Sequence, residues 1–561
     1  MKQSKWATPP HQRDQLTLFS PSLDESIPPG HRIRRFEEII DQIDWGSWEQ
    51  EYDGKRGQPP IHPRYIAGAI LYGLTERLRS SRDLEKATKL RLDFIWFLHG
   101  RSIDHSTISG FRTRFKTQLH GLFRQLAFIA LKGKLEVVLA VDGTRIRSNS
   151  SRTGALTTES IAKKAEQIAA ELSEALRKME LSDNEDASEA GTVEELEKQI
   201  AALSKRRDQL SKALNEANRR DEVRLKHNGA NNSKPGRIPL SDPDSYYSTN
   251  KEGGFAPNYT PTAAVEASGG IIVNAHVPTG QDEASAVSQV VEETVSLIGK
   301  PSSMLFDSAF ATGPNLKNLS ESGIEFYSSV ANSNRKNPAF RPDLSQPVPE
   351  EKWGYLPSQK KDGSTLTKEA FVYDEKNDCY WCPLGKKLSK IREGNQTCRG
   401  KTTFVKKYQS SHCDYENCPL AQRCLLRNSK TRGVSRDEFE EYRENLRQRM
   451  KDEKAQEIYS QRAPSIEGVF AHIKHNMGIR QFLHRGMEKV KAKWLWICSA
   501  FNITKMLNKI LKSNDPENQI NQMVEMTPKD LIFTYITWIN AFKMTMSLKP
   551  KLSLQEMSWK F

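Results

Sequence analysis

The chain has 561 residues, with 84 Lys and Arg against 70 Asp and Glu and a formal net charge of +14. That length allows two to four domains with a sizeable buried core, and the charge points to a polyanionic partner, most simply nucleic acid. The composition argues against a secreted disulfide scaffold or a membrane protein. No basic-then-apolar leader opens the chain, the seven cysteines are odd in number, and the apolar stretch Leu531 to Leu548 holds Asn540 and Lys543 and reads as a packed helix.

Residues 1–130 read as a helical domain with a DNA-binding role. In "PPIHPRYIAGAILYGLTE", Ile66, Ile70, Leu71 and Leu74 recur three and four apart. In "DHSTISGFRTRF", Asp104 is placed to cap a helix that carries Arg112, Arg114 and Lys116. A packing domain with a solvated basic face is the alternative.

At Leu135 the pattern changes. "LEVVLAV" is a β-branched apolar run that predicts a buried strand ending at Asp142. "AAVEASGGIIVNAHV", with Gly269-Gly270 at its middle, predicts a hairpin. Asp282 to Ile298 predicts a helix, "SSMLFDSAF" a strand ending at Asp307, "GPNLKNLSESG" a helix and "IEFYSSV" a last strand. This core spans 131–330 and resumes over 438–510.

Two insertions interrupt it. Over 158–220, Ile161, Ile168, Leu172 and Ala175, then Leu196, Ile200, Leu210 and Ala217, hold heptad positions. An acidic turn, "SDNEDASEAG", and a Thr192/Glu195 capping box lie between them, which predicts an antiparallel helical hairpin over a parallel oligomerising coil. The second insertion, 332–437, shows little periodicity and holds most of the cysteines. Cys382, Cys413, Cys418 and Cys424 are candidates for a structural Zn²⁺ site, with Cys379 and His412 as substitutes and free thiols as the alternative. Residues 511–561 form a tail with no assigned role.

Two strand-end aspartates in one crevice repel unless a cation compensates them. A hard divalent ion with oxygen ligands meets that need, and phosphodiester chemistry on paired ions wants a third acid. Glu467, in "YSQRAPSIEGVFAHIKHNMGIRQF", is the candidate. Pro464 suits the first turn of its helix, and Lys474, seven residues on, falls on the same face of a regular α-helix. A salt bridge from Glu467 to Lys474 or His472 is the competing account. The basic run from Lys474 to Lys493 is expected to meet phosphates.

"AVDGTRIRSNSS", "LFDSAFATGPNLKNL" and the Tyr459 to Phe482 stretch, with the two N-terminal motifs, resemble a DDE-type insertion-sequence transposase over most of 15–510. The likeness is nearest to the insertion sequence 1182 group of the wider IS-four-like set. It implies an α/β RNase H-like catalytic core. It further implies divalent-metal-dependent cleavage at transposon ends and joining to target DNA. Asp142, Asp307 and Glu467 would bind Mg²⁺ or Mn²⁺, and Tyr459, Arg462 and Lys474 would position phosphates or flanking bases, with a structural pairing of Arg462 to an upstream acid as the alternative; Arg480 and Arg485, in the basic run, are the further candidates for DNA contact. The partners implied are double-stranded DNA, as terminal inverted repeats and target, and a second copy in a homodimer, with no membrane. The location implied is the bacterial cytoplasm, at the nucleoid when DNA-bound. Two positions depart from the family's pattern: four residues separate Arg462 from Glu467 where three are usual, and Thr stands in "PNYTPTAAV" where relatives carry Gln. A nuclease without strand transfer, or a transposase-derived DNA-binding protein that has lost catalysis, are the competing functions.

Overall fold

The computed structural model describes residues 22–52, 59–131, 137–182, 193–228, 236–250, 253–280, 283–329, 337–359, 365–398, 401–411, 418–425, 431–515 and 518. The chain divides into two compact units, residues 1–133 with 496–561, and residues 134–495. The sequence-derived division instead runs the core to 510.

The first unit is helical: α1 (Arg32–Ile40), α2 (Gly46–Glu49), α3 (Pro63–Thr75), α4 (Ser81–Leu90), α5 (Leu92–Phe97), α6 (His105–Arg114) and α7 (Lys116–Leu131). Pro63 sits in the first turn of α3, and the His62 side chain accepts a hydrogen bond from Arg64 N at 3.1 Å, so an N–H left over at the helix start is used. Asp104 caps α6 as its sequence context predicts, accepting from Ser106 N at 2.8 Å and Thr107 N at 3.0 Å. The apolar stripe of α3 is buried at Ile66, Ile70, Leu71 and Leu74. Trp48 is fully buried, stacked on Phe111 at 5.3 Å and tilted against Trp496 at 6.5 Å. The expected basic face of α6 is not uniform. Arg112 is buried and donates to Arg79 O at 3.2 Å, and burial pushes its pKa down to about 10.

The second unit is built on a five-stranded mixed sheet. Its elements begin with β1 (Val138–Gly143), β2 (Ile146–Arg147), β3 (Ala155–Leu156), α8 (Thr158–Ser182), α9 (Val193–Asn228), β4 (Ile238–Pro239), β5 (Tyr246–Thr249), β6 (Phe255–Tyr259), β7 (Thr262–Glu266) and β8 (Ile272–His276). They continue with α10 (Val287–Ile298), β9 (Ser303–Phe306), α11 (Gly313–Glu321) and β10 (Glu325–Ser328). The sheet order is β10-β9-β1-β7-β8. β1, β7 and β8 form an antiparallel meander, and β9 and β10 run parallel to β1. Gly270 turns the β7–β8 hairpin with φ 68°, a conformation that suits glycine. Leu139, Ala140 and Val141 are all buried, which is why β1 reads as a continuous apolar run and not as an alternating one. This mixed α/β core is consistent with an RNase H-like fold.

α8 and α9 pack along each other. Near their root Ile161 and Ile168 meet Leu210, Ala213, Ala217 and Ile238, with Leu156 and Leu240 alongside. The acidic turn and Thr192 lie outside the described residues. Arg220 ties the root to the core: its guanidinium sits 3.8 Å over the Tyr246 ring and donates to Pro243 O at 2.6 Å and Ser245 O at 3.0 Å.

The second insertion is more regular than its sequence suggests. It holds an antiparallel five-stranded sheet, β11 (Val372–Asp374), β12 (Cys379–Trp381), β13 (Lys387–Cys398), β14 (Lys401–Gln409) and β15 (Gly433–Asp437), with the short α12 (Ala421–Cys424). Most of β13 is exposed, so no alternation of apolar and polar residues marks it as a strand. The chain then returns through α13 (Glu440–Arg449), α14 (Glu453–Ser460), α15 (Arg462–Ala471) and a π turn, His472–Asn476, to α16 (Met487–Leu511). No described helix is long and apolar enough to cross a membrane, and Leu531 to Leu548 lies outside the described residues.

Candidate active site

β1 and β9 are neighbouring parallel strands, with Val141 opposite Phe306. Asp142 and Asp307, each the next residue, therefore stand side by side at the same end of the sheet. Asp142 Oδ1 accepts from Gly143 N at 2.8 Å, and Asp307 Oδ1 accepts from Ser308 N at 2.6 Å as the cap of a short 3₁₀ turn.

α15 packs against β1 and β7, anchored by buried Ile466, Val469 and Phe470. Ser465 Oγ donates to Ala267 O at 3.0 Å just past β7. This seat brings Arg462 to both aspartates. Nη1 is 3.3 Å from Asp142 Oδ2 and Nη2 is 3.8 Å from Asp307 Oδ1. Burial disfavours the Arg462 charge, but a hydrogen bond with Tyr459 and the fields of Asp142 and Asp307 outweigh it and raise its pKa. Tyr459, in the last turn of α14, thus hydrogen-bonds the same arginine that meets the aspartates.

Glu467 lies on the same helix and is exposed. It pairs with no cation among the described residues, so the salt bridge to Lys474 or His472 is not formed. Among the described residues no three His, Cys, Asp or Glu side chains gather as a metal cluster. The aspartates and Arg462 are brought together, and Glu467 stands on their helix without joining that contact. The donor set still suits a hard divalent cation, since two carboxylates share one strand end.

The regular-helix argument for Lys474 does not hold as drawn. α15 gives way to the π turn, with Met477 N donating to His472 O at 3.0 Å, so seven residues no longer make two α turns. Lys474 sits half-buried inside that turn. The following segment runs beside β2: Phe482 N donates to Arg147 O at 2.9 Å and Arg147 N to Arg480 O at 3.2 Å. Arg480 is exposed and meets His475 at 2.8 Å, whereas Arg485 Nε is taken up by Asn149 O at 2.7 Å. Lys493 is buried. The basic run is therefore partly structural.

Cys382 opens a tight turn in the second insertion. Its Sγ accepts from Lys386 N at 3.2 Å, and Gly385, at φ 75°, packs so closely on Ser345 O that a side chain there would collide. Burial pushes the Cys382 thiol up, and Cys418 beside it adds to the effect. Cys424 belongs to the same apolar core and Cys379 is buried nearby in sequence, while His412 and Cys413 lie outside the described residues.

Two family models match this chain. Residues 381–507 match the family described as Transposase DDE domain, and residues 21–114 match Transposase domain (DUF772). The first span contains Arg462, Glu467 and Lys474, and the two aspartates precede it. No curated protein matches the chain with significance. The two matches indicate a DDE-type transposase and support a transposase function.

Proposed function

We propose that the chain is a DNA transposase of the insertion sequence 1182 group, which cleaves at transposon ends and joins them to target DNA. The observation that carries this reading is the pair Asp142 and Asp307 on adjacent parallel strand ends, faced by the helix of Arg462 and Glu467. On this reading Asp142, Asp307 and Glu467 hold Mg²⁺ or Mn²⁺. When bound, the cation makes water or a DNA 3′-hydroxyl a better nucleophile and stabilises the departing oxygen. Arg462, fixed by Tyr459, balances the aspartates' charge and has a second role open to it, a hydrogen bond to a phosphate. Exposed Arg480 and half-buried Lys474 are the better placed phosphate contacts, and Arg485 orders the loop it sits on. The protein would act in the bacterial cytoplasm as a homodimer on its terminal repeats. Zn²⁺ on Cys382, Cys418, Cys424 and Cys413 would be structural.

The test is incubation with Mg²⁺ and a duplex copied from the DNA flanking the chain's own gene. Site-specific nicking followed by joining to a second duplex is expected. Binding without any nick would favour the transposase-derived DNA-binding protein, and nicking without joining the nuclease.

A further inference from the structure

We infer that the β13–β14 hairpin is a DNA-binding arm that lays a two-stranded ribbon into a groove of duplex DNA; this rests on the transposase reading above. The hairpin grows out of the five-stranded sheet and leaves it. β15 accompanies β14 only from Val405 to Gln409, and β12 accompanies β13 only at Lys387 and Leu388. Beyond those pairs the two strands continue alone to Cys398 and Lys401. The lone part spans four residue pairs, from Asn395 beside Phe404 to Cys398 beside Lys401, roughly 14 Å at about 3.4 Å per residue.

No buried apolar face explains this extension, since its large apolar side chains Ile391 and Phe404 are both exposed. A two-stranded hairpin without a packed face is marginal in water, and this one is exposed at Asn395, Gln396, Thr397 and Cys398. Its charge is lopsided. Residues 386–409 hold eight Lys or Arg and a single acid, Glu393. The register sorts that charge onto faces. Glu393 and Lys406 are cross-strand partners, and that face is satisfied internally: Lys390 reaches Asp378 at 3.0 Å and Glu393 at 3.2 Å, and Lys406 reaches Asp378 at 3.6 Å. The opposite face carries, in order, Arg392 beside Lys407, Gly394 beside Val405, Gln396 beside Thr403 and Cys398 beside Lys401. Among the described residues no acid pairs with Arg392 or Lys407. A face with two cations at its base and amide and hydroxyl groups beyond has the chemistry to hold phosphates and touch base edges. A two-stranded ribbon fits the width of the B-DNA major groove.

The experiment uses the full chain, a labelled duplex from the DNA flanking its gene, and a salt series read by anisotropy. Arg392→Glu with Lys407→Glu is expected to weaken binding about tenfold at physiological salt and to flatten the log–log salt slope by about two. A photoactivatable azide attached to exposed Cys398 of the otherwise unaltered protein is expected to crosslink to that duplex, and Cys398→Ser to abolish the crosslink. Unchanged affinity and slope with no crosslink overturn the inference. So does a variant that loses dimer mass but binds each duplex as before, because the arm then joins two copies of the chain. Parent protein that binds no duplex at all sinks the transposase reading itself, whereas parent binding with an indifferent variant sinks only the arm.

Discussion

Arg462 Nη1 lies 3.3 Å from Asp142 Oδ2, at the strand end Asp142 shares with Asp307. A guanidinium this close competes with a divalent cation for the same oxygens. Arg462→Gln is therefore expected to tighten Mn²⁺ binding to the DNA-free protein, by about tenfold for a screened interaction of roughly 1–2 kcal/mol. The same change should slow cleavage, because the guanidinium's hold on phosphate is lost. Titration calorimetry and a nicking assay separate the two. Weaker Mn²⁺ binding in the variant would show that Arg462 organises the carboxylates instead of competing for them.

Asp142→Asn, Asp307→Asn and Glu467→Gln keep size and remove charge. Each is expected to lower Mg²⁺-dependent cleavage by on the order of a thousandfold or more, with combined losses far from additive because the acids act as one unit. Binding to DNA should hold or improve, since a negative charge facing phosphates has gone. Glu467 is the most exposed to refutation, because among the described residues it does not gather with the aspartates as a metal-binding cluster. If Glu467→Gln cuts at near the parent rate, the third acid lies elsewhere.

The five-stranded sheet of the second unit was legible because its strands are largely buried and two of them carry an aspartate at or just past one end. β1 and β9 announce themselves as apolar runs; Asp307 follows β9 directly, whereas β1 runs through Asp142 to Gly143, one residue past the expected end. Gly270 marks the hairpin between β7 and β8 for an equally local reason. The second insertion hid its sheet because β13 is solvated along most of its length, so nothing in its pattern requires a strand. The π turn around Lys474 was illegible, since one extra residue per turn leaves no mark on composition. Arg112 and Lys493 misled in the opposite direction: as sequence they extend basic faces, and in the fold they are buried. Arg485 was likewise absorbed by a backbone oxygen that lies hundreds of residues earlier.

The α8–α9 hairpin buries much of its seam on itself, so most of it should be removable. Its root is another matter, because Arg220 is buried against Tyr246 and Ile161 packs with Ile238. Replacing residues 165–213 with a short Gly-Ser linker is expected to leave a soluble protein that still binds Mn²⁺. Extending the excision through Arg220 should cost solubility. Equal behaviour of both deletions, judged by size-exclusion chromatography, would show that the root is not an anchor.

Cys382 and Cys418 lie beside each other, and Cys424 shares their core. If Cys413 completes a thiolate set, purified protein carries stoichiometric zinc and Cys418→Ser loses it. Chelation should then lower the melting temperature of the protein. Metal-free protein whose melting is indifferent to chelator would leave these residues as plain thiols.

Glu440 tests the link between the second insertion and the helices that follow it. It is buried among Lys368 at 2.8 Å, Arg443 at 2.8 Å and Arg447 at 3.2 Å. Burial opposes its charge, but Lys368 and then the two arginines outweigh it, and its pKa falls to about 2. On Lys368 burial wins and the pKa drops. A depressed carboxyl stabilises the fold above its unfolded pKa of about 4.3 and loses that contribution as the pH falls toward about 2. The contribution at neutral pH is about 3 kcal/mol. Glu440→Gln should therefore destabilise the protein by about that amount at neutral pH, leaving three cations around an uncharged amide. The gap between parent and variant should close as acid is added through that window. Denaturant melts across the range check it. A gap that stays constant down to the lowest pH would assign the loss to packing and not to the Glu440 charge.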